Sequence, residues 1–245
     1  MSIKVVLFDL DGTLLPMDQD IFVKTYFKGI ATKLAPQGYD PRALIDAIWM
    51  GTSAMIKNDG HKSNESVFWD VFAGIFGEKA RGDELYFEEF YKTDFPKIQS
   101  VCGFSSKAAE IVYKLKENGI RVALATNPIF PSIATETRIR WAGLEPKDFE
   151  FYTTYENSNY SKPNLEYYKK LTVQLGVEPE ECLMVGNDVD DDMVVTQLGM
   201  KAFLLTDCLI NKYNVDISAF DNGDFSQLDA YIECIMAQNK RVCRQ

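Results

Sequence analysis

The chain has 245 residues, 46% of them apolar, with 26 Lys and Arg against 36 Asp and Glu for a formal charge of −10. That length and apolar share allow one large core or two small ones and argue against disorder, collagen and coiled coil. The acidic balance argues against a nucleic-acid scaffold and against docking on anionic lipid, although an anionic small molecule can still bind where a side-chain cation or a metal faces it.

The five cysteines (Cys102, Cys182, Cys208, Cys234 and Cys243) show no C-x-x-C spacing, and His61 is the single histidine. This pattern does not suit a Cys/His zinc site and reads as reduced thiols in a cytoplasmic protein. The N-terminus opens directly into Lys4-Val5-Val6-Leu7-Phe8, without the pattern of a signal peptide. No apolar run reaches the roughly 18 residues of a membrane span.

In chain order, 5–8 is a short apolar run stopped by Asp9, as in a strand buried on both faces. Residues 21–34, 41–50, 66–76 and 83–91 carry helical spacing, with Phe68, Phe72 and Phe76 on one face. Residues 16–98 hold 14 of the 31 aromatics and no convincing strand, which predicts an all-helical insert with its own small core. From there helix and strand alternate. Helices are predicted at 105–118, 132–141, 165–175 and 193–198, and strands at 122–125, 151–153, 182–185 and 202–205. Such alternation predicts an α/β fold, a parallel sheet with helices on both faces. The last residues, 239–245, are expected to fray.

In an open parallel sheet, sites form beyond the carboxyl ends of the strands. The first such end is Asp9-Leu10-Asp11-Gly12-Thr13. D-G alone is a common turn dipeptide. Two carboxylates two positions apart after a buried strand can do more: one attacks phosphorus and the other gives and takes a proton. At the second end, Thr126 and Asn127 offer a hydroxyl and backbone N–H groups for phosphate oxygens. At the third, Ser161-Lys162-Pro163 precedes a helix, and Pro163 in the first turn would hold Lys162 near a positive helix end. At the fourth, 186–192 packs four acids into residues 188–192, which invites a cation such as Mg²⁺. Asp190 or Asp191 is expected only to cap the following helix.

Together these residues resemble the haloacid dehalogenase-like hydrolases, specifically the phosphatase branch with a helical cap inserted after the first motif. DLDGTL at 9–14, ATN at 125–127, SKP at 161–163 and VGNDVDDD at 185–192 follow that family's four motifs in order. The resemblance implies a Rossmann-like core over 1–15 and 99–245, a cap over 16–98, Mg²⁺ dependence and an aspartyl-phosphate intermediate. It makes Asp9 the nucleophile and a metal ligand. Asp11 becomes the general acid and base and lends its carbonyl to the metal. Thr126, Asn127 and Lys162 hold phosphate, and Asp188 binds Mg²⁺.

The fourth motif departs from the family's G-D, because Gly186 is followed by Asn187 and only then Asp188. Kept in register from Gly186, Asn187 takes the ligand position; slipped by one, Asp188 and Asp192 form a D-x-x-x-D pair. An anionic ligand suits Mg²⁺ better than an amide, which favours Asp188, with Asp192 acting through water or by orienting Lys162. Asp11 sets the sequence apart from dehalogenating members, since a phosphoester needs an acid for its leaving oxygen. A small phosphorylated metabolite is the expected substrate. The alternatives are a phosphomutase, or a non-enzymatic phosphate- or protein-binding regulator that retains the fold. The insert is expected to cover the site as a lid. Trp49, Phe68, Trp69 and Phe72 read as its core, and Lys57, His61 and Lys62 as a solvated loop.

Overall fold

The computed structural model describes residues 2–242. Five parallel strands, β1 (Val5–Phe8), β2 (Arg121–Leu124), β3 (Cys182–Gly186), β4 (Lys201–Leu205) and β5 (Asp221–Gly223), lie in the order β2-β1-β3-β4-β5. Every residue of β1 and β3 is buried, which explains their continuous apolar runs. Because successive side chains point to opposite faces, Val6 and Phe8 join one core and Val5 and Leu7 the other. The first core is covered by α5 (Ser106–Glu117), α6 (Ser132–Trp141) and α8 (Phe225–Val242), the second by α7 (Leu165–Leu175). The architecture is the expected Rossmann-like one.

Between β1 and α5 the chain is helical: α1 (Gln19–Leu34), α2 (Pro41–Ile56), α3 (Asn64–Phe76) and α4 (Glu84–Thr93). Their starts are set by local chemistry. The Ile21 N–H donates to Asp18 (3.0 Å), the Ala43 N–H to Asp40 (2.9 Å) and the Ser66 N–H to Ser63 (3.2 Å). The chain leaves and re-enters the sheet side by side: Met17 bridges Cys102, and the Gly103 N–H donates to the Pro16 carbonyl at 2.7 Å. This helical segment does not keep a separate core. Its aromatic side chains run on through Phe95, stacked 5.2 Å from Trp141 of α6, into the cluster under the sheet. An apolar helix face that meets another buries more surface than one closed on itself.

Other expectations change in detail. Residues 151–153 give only an isolated bridge, Tyr152 to Leu124, and Met193–Leu198 winds as a 3₁₀ helix. β5 and α8 extend the sheet beyond the last predicted strand. β5 is Asp-Asn-Gly, which has no strand propensity and is a strand only because β4 offers it a ladder. α8 is anchored by Leu228, Ile232 and Ile235 in the core. Instead of fraying, Asn239 pairs with the start of the chain: the Ile3 N–H donates to its Oδ1 at 3.0 Å and its Nδ2 to the Ile3 carbonyl at 2.7 Å. Cys243 and residues 244–245 lie outside the described residues. Cys102, Cys182, Cys208 and Cys234 are free thiols. Among the described residues, no helix is long and apolar enough to cross a membrane.

Candidate active site

The carboxyl ends of β2, β1 and β3 lie side by side, where the connection from β1 turns one way and the return to β3 the other. Open α/β sheets place their ligands at such a reversal. Asp9, Asp11, Thr126, Asn127, Lys162, Asn187, Asp188 and Asp192 all line one cavity there, of about 250 Å³, roofed by the helical segment.

Asp9 directly extends β1: its N–H donates to the Val185 carbonyl at 2.9 Å, keeping the ladder for one more residue. The chain then turns through Gly12 at φ +86°, and a Cβ there would fall 2.3 Å from Asn187 Nδ2, so only glycine fits. Lys162 is buried, and its Nζ donates to Asp9 Oδ1 at 2.8 Å and to Asp192 Oδ1 at 2.6 Å. Burial alone would lower the lysine's pKa, but Asp192 and Asp9 outweigh it and hold the ammonium well above its ordinary value. Lys162 is therefore neither a solvated charge nor set in a first helical turn. Asn164 caps α7, its Oδ1 accepting the Glu166 N–H at 2.9 Å, and Pro163 falls outside the helix.

Asp11 is held by a residue that motif reading passed over. The Nη1 of Arg138, on α6, donates to Asp11 Oδ2, while its Nε donates to the Ala134 carbonyl at 3.3 Å. The guanidinium, 4.4 Å from the Phe130 ring centre, is buried. Burial raises the pKa of Asp11, opposed by Arg138 and Lys162. The signal in the sequence was a basic residue on the buried face of a helix, beside Ala134, Thr135 and Ile139.

At the fourth strand end the two candidate registers separate. Asn187 is used up internally: Thr13 Oγ1 donates to its Oδ1 at 3.0 Å and its Nδ2 donates to the Cys208 carbonyl at 2.7 Å. A carbonyl can only accept, so the amide nitrogen must face Cys208. Asp188 presents its carboxylate to the cavity, with Oδ2 3.8 Å from Lys212 Nζ. Its Oδ1 accepts the N–H groups of Asp190 and Asp191 at 2.8 and 3.0 Å. Asp188 therefore closes the turn at 190–191, and neither Asp190 nor Asp191 caps the helix Met193–Leu198, which has no side-chain cap. Asp191 faces the cavity instead, within 3.4 Å of Asn127 Nδ2, and burial pushes its pKa up to about 6. Asp192 Oδ2 accepts the Asp188 N–H at 3.0 Å, so one side chain orients both Lys162 and the Asp188 backbone.

Thr126 lies two residues past β2, its carbonyl accepting from Thr153 Oγ1 at 2.6 Å and Tyr167 OH at 2.9 Å. Phe72 is fully buried core, and Phe68 and Trp69 are buried while also lining the cavity; Trp49 lines it too but, at 48% exposed, is not core. Lys57, His61 and Lys62 do not reach it; His61 is 89% exposed and Lys62 pairs with Asp70 at 2.6 Å. Thr13 and Lys212, like Arg138, were not singled out by sequence reading. Lys212 gave no signal, because it sits in a loop that only the fold brings near.

Cation binding can be tested on these groups. Five carboxylates (Asp9, Asp11, Asp188, Asp191 and Asp192) face three cations (Lys162, Lys212 and Arg138), leaving two negative charges in excess. Two buried acceptors, Asp11 Oδ1 and Asn127 Oδ1, have no protein donor. An all-oxygen set of this charge suits a hard divalent ion. Among the described residues no three His, Cys, Asp or Glu side chains form a ready-made metal cluster, so a protein-only cage is absent there. Mg²⁺ needs only one or two carboxylates and fits without one.

A family model for haloacid dehalogenase-like hydrolases matches residues 3–194. The chain belongs to this family. It is 28% identical over 122 residues to a glyceraldehyde 3-phosphate phosphatase of Methanothermobacter thermautotrophicus, covering 46% of this hydrolase and 52% of that relative. The chain thus spans about half of that protein's length. It is 26% identical over 193 residues to the pyrophosphatase PpaX of Bacillus cereus, covering 78% and 77% of the two chains. Among solved structures it is similar to a 2-haloacid dehalogenase from Pseudomonas syringae, with a TM-score of 0.62, 19% identity and coverage of 96% and 99%. That last likeness establishes the fold alone.

Proposed function

We propose that this hydrolase is a Mg²⁺-dependent phosphatase that cleaves a small-molecule phosphomonoester through an aspartyl phosphate on Asp9, with the helical segment as its cap. The observation that carries the reading is Lys162, a buried ammonium 2.8 Å from Asp9 and locked by Asp192. A buried cation beside a nucleophilic carboxylate is what a dianionic phosphate needs in order to approach it. The names of the two relatives agree with phosphoryl chemistry.

Asp9 attacks phosphorus in line while Asp11 protonates the departing oxygen. Asp11 then takes a proton from the water that hydrolyses the acyl phosphate. Arg138 fixes the Asp11 carboxyl from behind. Thr126 and the Asn127 backbone hold phosphate oxygens beside Lys162. Asp9, the Asp11 carbonyl and Asp188 would hold Mg²⁺, which when bound offsets charge on the phosphoryl oxygens. Asp11 argues against dehalogenation, because halide leaves without a proton.

The test is Asp9→Asn, which keeps the side-chain size and removes the nucleophilic charge. Phosphate release from acetyl phosphate should be abolished, and beryllium fluoride with Mg²⁺ should bind the wild type and not the variant. More than about a tenth of the wild-type rate would remove Asp9 from its role, since loss of a covalent nucleophile leaves no route to the intermediate.

A further inference from the structure

The cavity has two halves of different chemistry. Its floor, at the strand ends, carries every charged side chain that lines it: the five aspartates with Lys162 and Lys212. Its roof comes from the helical segment and from the loop before α6, and carries none. Phe22, Tyr26, Trp49, Phe68, Trp69 and Tyr91 are its main surfaces. Tyr26 and Tyr91 join their hydroxyls at 2.9 Å. That pair uses one O–H between them and keeps a second for a ligand acceptor.

We infer that the alcohol half of the substrate is uncharged and carries a planar aromatic ring, which the roof encloses while the phosphoryl group sits on the floor. This rests on the phosphatase reading and deepens it by naming the leaving-group class. A carboxylate or second phosphate in the roof would be buried with no cation from the helical segment, whose polar lining groups, such as Gln19 and Thr52, are uncharged. An aromatic ring meets the opposite conditions. It gains from apolar burial and packs edge-to-face or offset on aromatic walls. Size agrees too: an apolar cavity of about 150 Å³ admits a benzene ring, and this one measures about 250 Å³. The same reasoning disfavours a mutase acting on a sugar bisphosphate.

The experiment compares two phosphonates that cannot be hydrolysed, benzylphosphonate and phosphonoacetate, by quenching of tryptophan fluorescence in the full chain with Mg²⁺. They differ in carrying a ring or a carboxylate. Benzylphosphonate should bind tighter by about 10-fold or more, the scale of discrimination by an apolar pocket. Thr52→Phe and Val23→Trp, which fill the roof from two different helices, should each collapse that ratio toward one. The same order should appear in kcat/KM for benzyl phosphate over glycerol 3-phosphate, whose leaving groups are both alkoxides. A wild-type ratio near one, or favouring phosphonoacetate, overturns the inference, as does a ratio unchanged in both variants. Turnover of acetyl phosphate, too small to use the roof, reports separately on the phosphatase reading: activity on it without ring preference sinks only the substrate class.

Discussion

Replacing Asn187 tests which residue of the fourth motif is structural and which would hold the cation. In Asn187→Ala two hydrogen bonds disappear, from Thr13 at 3.0 Å and to the Cys208 carbonyl at 2.7 Å. Each is worth about 0.5–1.5 kcal/mol. Thr13 keeps a second acceptor, Asp9 Oδ2 at 3.3 Å, so its hydroxyl is not stranded. The Cys208 carbonyl does lose its side-chain donor, which adds about 1 kcal/mol at a half-buried position that water can reach. The expected loss is about 2–4 kcal/mol, or a fall in Tm of roughly 5–15 °C at 2–4 °C per kcal/mol for a chain of this size. Asn187→Asp should cost as much, because it turns a carboxylate oxygen toward the same carbonyl. Neither change should raise the Mg²⁺ requirement much, whereas Asp188→Ala should raise it sharply and also lower Tm, because its Oδ1 accepts two backbone N–H groups. The assays are thermal unfolding by circular dichroism and a Mg²⁺ titration of activity at fixed substrate. Asn187→Asp with tighter Mg²⁺ binding and unchanged Tm would refute the reasoning and restore the register counted from Gly186.

Two further outcomes follow from the site geometry. Asp11→Asn should slow single-turnover release of an alkyl alcohol by about 10²–10⁴ and release of a nitrophenol far less, since the better leaving group needs less protonation; equal losses would remove Asp11 as the acid. A Cβ at Gly186 would fall 2.1 Å from Asp192 Oδ2. Gly186→Ala should therefore displace the carboxylate that orients Lys162, costing about 1–3 kcal/mol in urea denaturation and most of the turnover; wild-type stability would show that Asp192 has room to move.

The sequence by itself determined the sheet's central strands, because a strand buried on both faces must be apolar throughout, and 5–8 and 182–185 are. It also determined the floor of the site, because residues that end such strands are carried to one edge whatever the loops do. Asp9, Asp11, Thr126 and Asp188 were legible for that reason, and the helical spacing of 21–91 for a similar one; Lys162 follows no strand and was legible only through the motif Ser161-Lys162-Pro163. What only the tertiary structure decided depends on partners far along the chain. β5 has no propensity of its own and exists through β4. Arg138, 127 residues from Asp11, becomes its partner only once α6 packs across the sheet end. Asn187 could be read as ligand or as strut until the loop bearing Cys208 closed on its amide. The roof of the cavity was hidden in the same way. Trp49, Phe68 and Trp69 have the spacing of core residues, and nothing local tells an aromatic side chain packed on protein from one that also borders an empty space; the fold leaves that space where the helical segment spans the strand ends.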